Sequence, residues 1–238
     1  MKSVIAFDLD GTITAANTAI DADTKEFLLR LSEKYRIVII GAGYYERILS
    51  QTEHLPCDVL GNYGMQYAEY SEEEGRHILK KSVTYELDRE DILRRADDIF
   101  SHFSLFDIEG ERVYFHPSGF FSLALLGTDA DKDKRRTFDP TRDLRREMHE
   151  YVSRKFPDYT VYLGGETSLD VAPGKHSKYT ALCEYCEMHG IDKSEAVFCG
   201  DDYGRYGNDE SVYLSDVDFI AIDDYRTLKD KLAFLLQF

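Results

Sequence analysis

Apolar residues fall along this chain in two rhythms. Short, mainly apolar runs recur at 4–7, 36–40, 58–60, 196–199 and 218–222, three of them opened by a charged residue (Arg36, Asp58 and Asp218) and each followed by Gly or Asp. That is how strands buried on both faces of a parallel sheet read. Helical spacing lies between them: Phe27, Leu28 and Leu31 within 24–35, a helix from about 44 through Ile48, 178–189 closed by Gly190, and a terminal helix from 227. Asp21 or Asp23 is placed to cap the first of these. Residues 65–70 and 77–83 flank Glu72-Glu73-Glu74-Gly75 and predict a β-hairpin with an acidic tip.

From about residue 84 the texture changes. Residues 88–103 form an amphipathic pattern with Ile92, Leu93, Ala96, Ile99, Phe100 and Phe103 on one face. Strands follow at 112–115 and 120–126 around the turn His116-Pro117-Ser118-Gly119, then a charged loop at 129–136, a helix at 140–156, and strands at 159–163 and 168–171 around Gly164-Gly165. After Pro173 the first rhythm returns. The pattern predicts an α/β protein: a parallel-sheet core from 1–83 and 173–238, with an α+β layer inserted at 84–172.

Composition narrows the function classes. The 238 residues are 43% hydrophobic, enough to bury a core, and no stretch approaches the ~20 apolar residues of a membrane span. The start Met1-Lys2-Ser3-Val4 enters the first strand directly, from which we expect a cytoplasmic protein. A net charge of −16 repels nucleic acid and anionic membranes, so neither is an expected partner, and an anionic substrate needs local cations. Cys183 and Cys186 form a lone C-x-x-C inside a helical pattern, with no second pair to complete a zinc site. They read as core residues, as do Cys57 and Cys199.

Candidate chemistry clusters where the parallel strands end. Asp8 and Asp10 close the first strand and are followed by Gly11 and Thr12. Taken alone, the run is either a plain Asp-Asp-Gly turn or a carboxylate pair, and ionised carboxylates that are buried pair or bind a metal. Oxygen ligands of this kind suit Mg²⁺, and ligands collect at the carboxyl ends of strands in open α/β sheets. The second strand ends in Gly41-Ala42-Gly43, a tight turn whose backbone amides could face an anion. The strand at 196–199 runs into Gly200-Asp201-Asp202, and Asn208-Asp209 follows.

Asp8-Leu9-Asp10-Gly11-Thr12 resembles the first motif of the haloacid dehalogenase-type phosphohydrolases. The resemblance implies a Rossmann-like core with a cap domain, Asp8 as the nucleophile that becomes an aspartyl-phosphate, and Asp10 as acid and then base. Gly200-Asp201 with the distant Asn208-Asp209 is similar to the family's fourth motif, in the longer form of the eukaryotic-type phosphomannomutases. Asn62-Tyr63-Gly64 and residues 164–173 resemble that branch in order, and Lys178 falls where the third motif places its lysine. The resemblance implies Mg²⁺ held by Asp8, the Asp10 carbonyl and Asp201, with Asn208 and Asp209 orienting ligands from behind. Lys178 would offset charge between nucleophile and phosphoryl group. Gly41, Ala42 and Gly43 would bind phosphate through their amides, and Ser168 and Asp170 would contact a sugar phosphate.

The chain departs from the family in two places. The second motif's Ser or Thr is absent from Ile39-Ile40-Gly41-Ala42-Gly43. The arginine clamp for a second phosphate is replaced: Ala15-Ala16-Asn17 near the first motif, His116-Pro117-Ser118 before Gly119, and Thr128 after Gly127. Without the clamp a bisphosphate is not retained and water completes the reaction. The expectation is therefore a Mg²⁺-dependent phosphatase for a small phosphorylated metabolite such as a sugar phosphate. The alternatives are a phosphohexomutase and a non-catalytic phospho-ligand binder. Lys132, Lys134, Arg135 and Arg136 could meet an anion or simply be solvated. The expected assembly is a monomer or a cap-mediated homodimer.

Overall fold

The structure, a computed structural model, describes residues 2–237. In chain order the strands and α-helices are β1 (Val4–Phe7), α1 (Ala22–Ser32), β2 (Arg36–Ile40), α2 (Tyr45–Gln51), β3 (Asp58–Gly61), β4 (Gln66–Ser71), β5 (Arg76–Ser82), α3 (Arg89–His102), β6 (Val113–Phe115), β7 (Phe121–Ala124), α4 (Lys132–Phe138), α5 (Asp143–Lys155), β8 (Tyr159–Gly164), β9 (Ser168–Pro173), α6 (Lys178–Met188), β10 (Ala196–Gly200), α7 (Glu210–Tyr213), β11 (Asp218–Ala221) and α8 (Leu228–Leu232). No helix among the described residues is long and apolar enough to cross a membrane.

The chain divides into two compact units. The first comprises Met1–Val83, Ser177–Gly204 and Asp209–Phe238; the second comprises Thr84–His176 and Arg205–Asn208. The first unit is built on one sheet in the order β11-β10-β1-β2-β3-β4-β5. The strands from β11 to β3 run parallel, and the β4–β5 hairpin adds an antiparallel edge. The central strands β1, β2, β3 and β10 are buried on both faces, as their apolar runs require, while β5 and β11 at the edges carry no fully buried residue. Along β1 the side chains alternate: Ile5 and Phe7 join the core with Phe27, Leu28, Ile48 and Leu228, while Val4 and Ala6 join the opposite core with Leu182, Tyr185 and Val212. Helices α1, α2 and α8 thus cover one face, and α6 and α7 cover the other.

β1 lies between β2 and β10, whose connections leave on opposite sides. This is the switch point at which open α/β sheets bind ligands. Asp8, the Gly41–Gly43 loop and Asp201 follow three neighbouring parallel strands and so share one end of the sheet.

The second unit carries a four-stranded antiparallel sheet, β6-β7-β9-β8. One face packs on α3 and α5 through Ile92, Ile99, Met148, Leu123, Leu169 and Val171. The expected boundary at 172/173 falls short of the observed one, because β9 continues to Pro173 opposite Tyr159 and the Tyr162 hydroxyl donates to the His176 carbonyl at 2.6 Å. Tyr206 also belongs here: its ring stacks on His149 with centroids 3.5 Å apart, and its carbonyl accepts from the Leu163 amide at 3.0 Å.

One predicted loop is a helix. Within 129–136, α4 begins at Lys132, capped by the Asp131 carboxylate, which accepts from the Lys134 amide at 2.8 Å. The helix has no fully buried side chain, so it has no apolar period to read.

Candidate active site

The turn after β1 sets its two carboxylates apart: Asp8 is buried and Asp10 is partly exposed. The Asp8 amide continues the sheet by donating to the Cys199 carbonyl at 2.9 Å, and the Asp8 side chain stays buried. Gly11 turns the chain at φ +95°, a region that disfavours side chains, and a Cβ there would lie 2.4 Å from the Asp201 carboxylate. Glycine at 11 therefore provides both the turn and the room for Asp201.

Lys178 is the hub. It opens α6, whose start is fixed by Ser177: the Ser177 hydroxyl accepts from the Thr180 amide at 3.0 Å, and the Thr180 hydroxyl accepts from the Ser177 amide at 3.0 Å. Its ammonium lies 2.6 Å from Asp8 Oδ1 and 2.7 Å from Asp209 Oδ1, and both Lys178 and Asp209 are fully buried. Asp209 Oδ2 accepts from the Asp202 amide at 2.9 Å. Gly200 makes space for this, since a Cβ there would lie 2.5 Å from Asp209 Oδ2. Asp201 Oδ1 accepts from the Thr12 hydroxyl at 2.8 Å.

Asp8, Asp201 and Asp209 each offer an oxygen within 4.8 Å of the others. Three carboxylates face one ammonium, leaving two negative charges uncompensated when all are ionised. Burial pushes the Asp8 carboxyl well above the ordinary range; Lys178 pulls it down, while Asp209 and Asp201 push it further up. Burial likewise raises Asp201, against the Thr12 hydroxyl and Lys178. Burial alone would lower Lys178, but the charges of Asp209 and Asp8 outweigh it and hold the ammonium above its usual range. Among the described residues Asp8 Oδ2 and Asp201 Oδ2 receive no hydrogen bond, so two open carboxylate oxygens sit in a site short of positive charge. That donor set fits a hard divalent cation.

The expected site residues fall into groups. Asp8, Lys178, Asp201 and Asp209 come together, and Asp209 stands inside the acidic cluster rather than behind it. The Asp10 carboxylate turns away from the cluster: it pairs with the Arg47 guanidinium and accepts from Gln51 Nε2 at 2.7 Å and from the Asn17 amide at 2.8 Å. The expectation that Gly41 binds phosphate through its amide is corrected, because that amide extends the β2–β3 ladder by donating to the Leu60 carbonyl at 3.0 Å. Among the described residues the Ala42 and Gly43 amides make no such bond. Ser168 and Asp170 lie on β9 of the second unit, where Asp170 Oδ1 accepts from the Ser122 hydroxyl at 2.8 Å and the Ser168 hydroxyl at 3.4 Å. A Cβ on Gly164 would lie 2.3 Å from the Asp170 carboxylate. Asn208 ends the Arg205–Asn208 stretch of the second unit.

Two neighbours escaped the sequence reading. In the sequence Thr12 stands out only as part of the Asp8-Leu9-Asp10-Gly11-Thr12 motif. Arg47 was not singled out, although its spacing from Gly43 was a signal: Cβ bonds in a helix tilt toward its N-terminus, so a residue one turn in reaches back over the preceding loop.

Comparison with known proteins agrees with this architecture. The phosphomannomutase of Saccharomyces cerevisiae is 26% identical over 225 residues, covering 90% of this chain and 86% of the yeast protein. That of Schizosaccharomyces pombe is 25% identical over 223 residues, covering 90% and 86%. Among solved structures, the IMP-bound, N-terminally truncated IMP-nucleotidase of Plasmodium falciparum superposes with a TM-score of 0.76 at 16% identity, over 100% of this chain and 68% of that one. A haloalkanoate-superfamily phosphatase from Bacteroides thetaiotaomicron superposes with a TM-score of 0.60 at 16% identity, over 99% and 95%. At these identities the structures speak for the fold alone. The family model described as eukaryotic phosphomannomutase matches residues 24–224, and the chain belongs to that family, a branch of the haloacid dehalogenase-type phosphotransfer enzymes.

Proposed function

We propose that the protein is a Mg²⁺-dependent phosphatase of a small phosphorylated metabolite, a sugar phosphate being the class its family suggests. The observation that carries the phosphoryl-transfer reading is the buried Asp8 carboxylate on the Lys178 ammonium at the end of β1, inside an acidic cluster that wants a cation. Mg²⁺ would be held by Asp8, Asp201 and the Asp10 carbonyl, and when bound it supplies positive charge to the phosphoryl oxygens.

The chain's own residues do the rest. The Asp8 carboxylate attacks phosphorus as the bond to the leaving oxygen breaks, and Asp10, carrying a proton on Oδ1 once that oxygen leaves Gln51 and the Asn17 amide, gives the leaving oxygen its proton. Asp10, now ionised, takes a proton from water as the water oxygen attacks phosphorus. The bond to Asp8 breaks and inorganic phosphate leaves. Lys178 offsets the charge that Asp8 and the phosphoryl group share.

Hydrolysis rather than mutase chemistry is favoured by the second unit. Thr128, at a position where the mutase pattern has arginine, is spent on a turn: its hydroxyl accepts from the Glu111 amide at 3.0 Å and donates to Asp129 at 2.9 Å. Arg135 is held by the Ala130 and Thr128 carbonyls at 2.8 and 2.6 Å. The mutase reading rests on family membership and on the named relatives. The deciding assay offers hexose phosphates with Mg²⁺, with and without a hexose bisphosphate. Phosphate release that needs no bisphosphate and disappears in Asp8→Asn is the expected result. Bisphosphate-dependent interconversion of hexose 1- and 6-phosphates would establish the mutase instead, and phosphate release that survives in Asp8→Asn would remove Asp8 from the mechanism.

A further inference from the structure

The second-motif position of this chain has no hydroxyl, and a guanidinium stands in its place. A Cβ built on Gly43 would lie 2.9 Å from Arg47 Nη1 and 3.3 Å from Arg47 Cδ. The end of Arg47 therefore fills the space into which a serine or threonine at 43 would project. Arg47 follows Gly43 by four residues, in the first turn of α2, and its side chain leans back over the loop as helix geometry dictates. Its Nη2 pairs with Asp10 Oδ2, the carboxylate given the proton-transfer role above. The side chain is 35% exposed, so a ligand can reach it. Beside it the Ala42 and Gly43 amides have no partner among the described residues.

We propose that Arg47 is the phosphoryl-binding donor of this site, standing in for the missing hydroxyl with Nη1 while Nη2 keeps Asp10 in register. The inference rests on the phosphoryl-transfer reading and names a residue that reading lacks. The chemistry is an upgrade in charge: a hydroxyl gives one neutral hydrogen bond, whereas a guanidinium offers charge-assisted, forked donation to a phosphoryl dianion. In a protein of net charge −16, a cation at this point also lowers the electrostatic barrier to an anionic ligand. Glycine at 43 is then required for room, since any side chain there would displace the guanidinium.

The test compares wild type, Arg47→Met, Arg47→Lys and the double variant Gly43→Ser/Arg47→Met. Two readouts are used: p-nitrophenyl phosphate hydrolysis at saturating Mg²⁺, and inorganic phosphate binding by calorimetry, with melting curves to certify folding. Arg47→Met is expected to lower kcat/KM about a hundredfold, the cost of one lost transition-state donor. It should also weaken phosphate binding about tenfold, the worth of a hydrogen bond to a charged group. Arg47→Lys, a point charge without the fork, should fall between wild type and Arg47→Met in both readouts. The serine in the double variant should restore at least a part of the loss, about tenfold in kcat/KM. Phosphate affinity unchanged in Arg47→Met overturns the proposal, because the guanidinium would then serve Asp10 alone. A serine that restores nothing also overturns it. A wild-type protein that binds phosphate but hydrolyses nothing would fail the phosphatase reading, while the binding arm would still decide the role of Arg47.

Discussion

Lys178 shows how one buried charge can be held in place by its neighbours and needed by them. Burying an ammonium is costly, and here two carboxylates at 2.6 and 2.7 Å repay the cost. Removing it leaves Asp8 and Asp209 facing each other with no cation between them. Lys178→Met is therefore expected to destabilise the protein by about 3–5 kcal/mol, read from urea unfolding, and to abolish hydrolysis. The same residue marks what a sequence can disclose at this scale. Asp8 and Asp201 were legible as acidic residues that close neighbouring strands, whereas Lys178, a lysine opening an amphipathic helix, stood out only through the resemblance to the third motif. Arg47 was not legible, since its importance comes from the volume vacated at Gly43, and an absent side chain leaves no mark in a pattern of residue types. The engagement of the Gly41 amide was hidden for a related reason: which amide in a glycine turn remains free depends on how far the neighbouring ladder runs.

Elements were more readable than contacts, where burial imposed a period. The central strands of the first sheet, α3 and α6 stand close to where apolar spacing put them because each buries a face, and the β4–β5 hairpin, whose second strand has no buried residue, was marked by its acidic turn instead. Helix α4 has no fully buried side chain and packs on the core only through the partly buried Phe138, so its cap, the Arg135 bonds to the Ala130 and Thr128 carbonyls, and Lys134 pairing with Asp107 at 2.9 Å and with Glu109 at 2.5 Å carry it, none of which has a periodic signature. Helix α1 offers a test of capping. The Asp21 carboxylate accepts from the Thr24 amide at 2.9 Å and from its hydroxyl at 2.8 Å. Burial acts against the charge on Asp21, but those two donors outweigh it and hold the carboxyl below its ordinary value of 3.8. A carboxyl with a lowered folded-state value binds fewer protons in the native protein than in the unfolded chain, so its contribution is present above pH 3.8 and fades as pH falls through the lowered value. Asp21→Ala should cost about 1 kcal/mol near pH 7 by urea unfolding. The difference from wild type should shrink on acidification below pH 3.8.

At the scale of the molecule, the charge of −16 sets the approach of an anionic substrate. Repulsion at long range is screened by salt over roughly 10 Å at 0.1 M, whereas the contacts of a buried site are screened much less. With Mg²⁺ held saturating, raising KCl from low to about physiological strength should raise kcat/KM for a phosphate ester. A fall would mean that local cations such as Arg47 dominate the encounter. The two-unit organisation was legible from the change in texture near residue 84, but the return of Arg205–Asn208 to the second unit was not, because it depends on Tyr206 stacking on His149. That return gives the polypeptide four crossings between units: after Val83, after His176, after Gly204 and after Asn208. The inserted module is consequently not a cassette on two tethers. Exchanging residues 84–176 for a relative's would strand Tyr206 without its stacking partner, and the last crossing delivers the chain straight into Asp209, the partner of Lys178. The stacking that completes the second unit and the charge balance of the site are thereby spliced into one covalent thread, and a graft that ignores those four residues disturbs both at once.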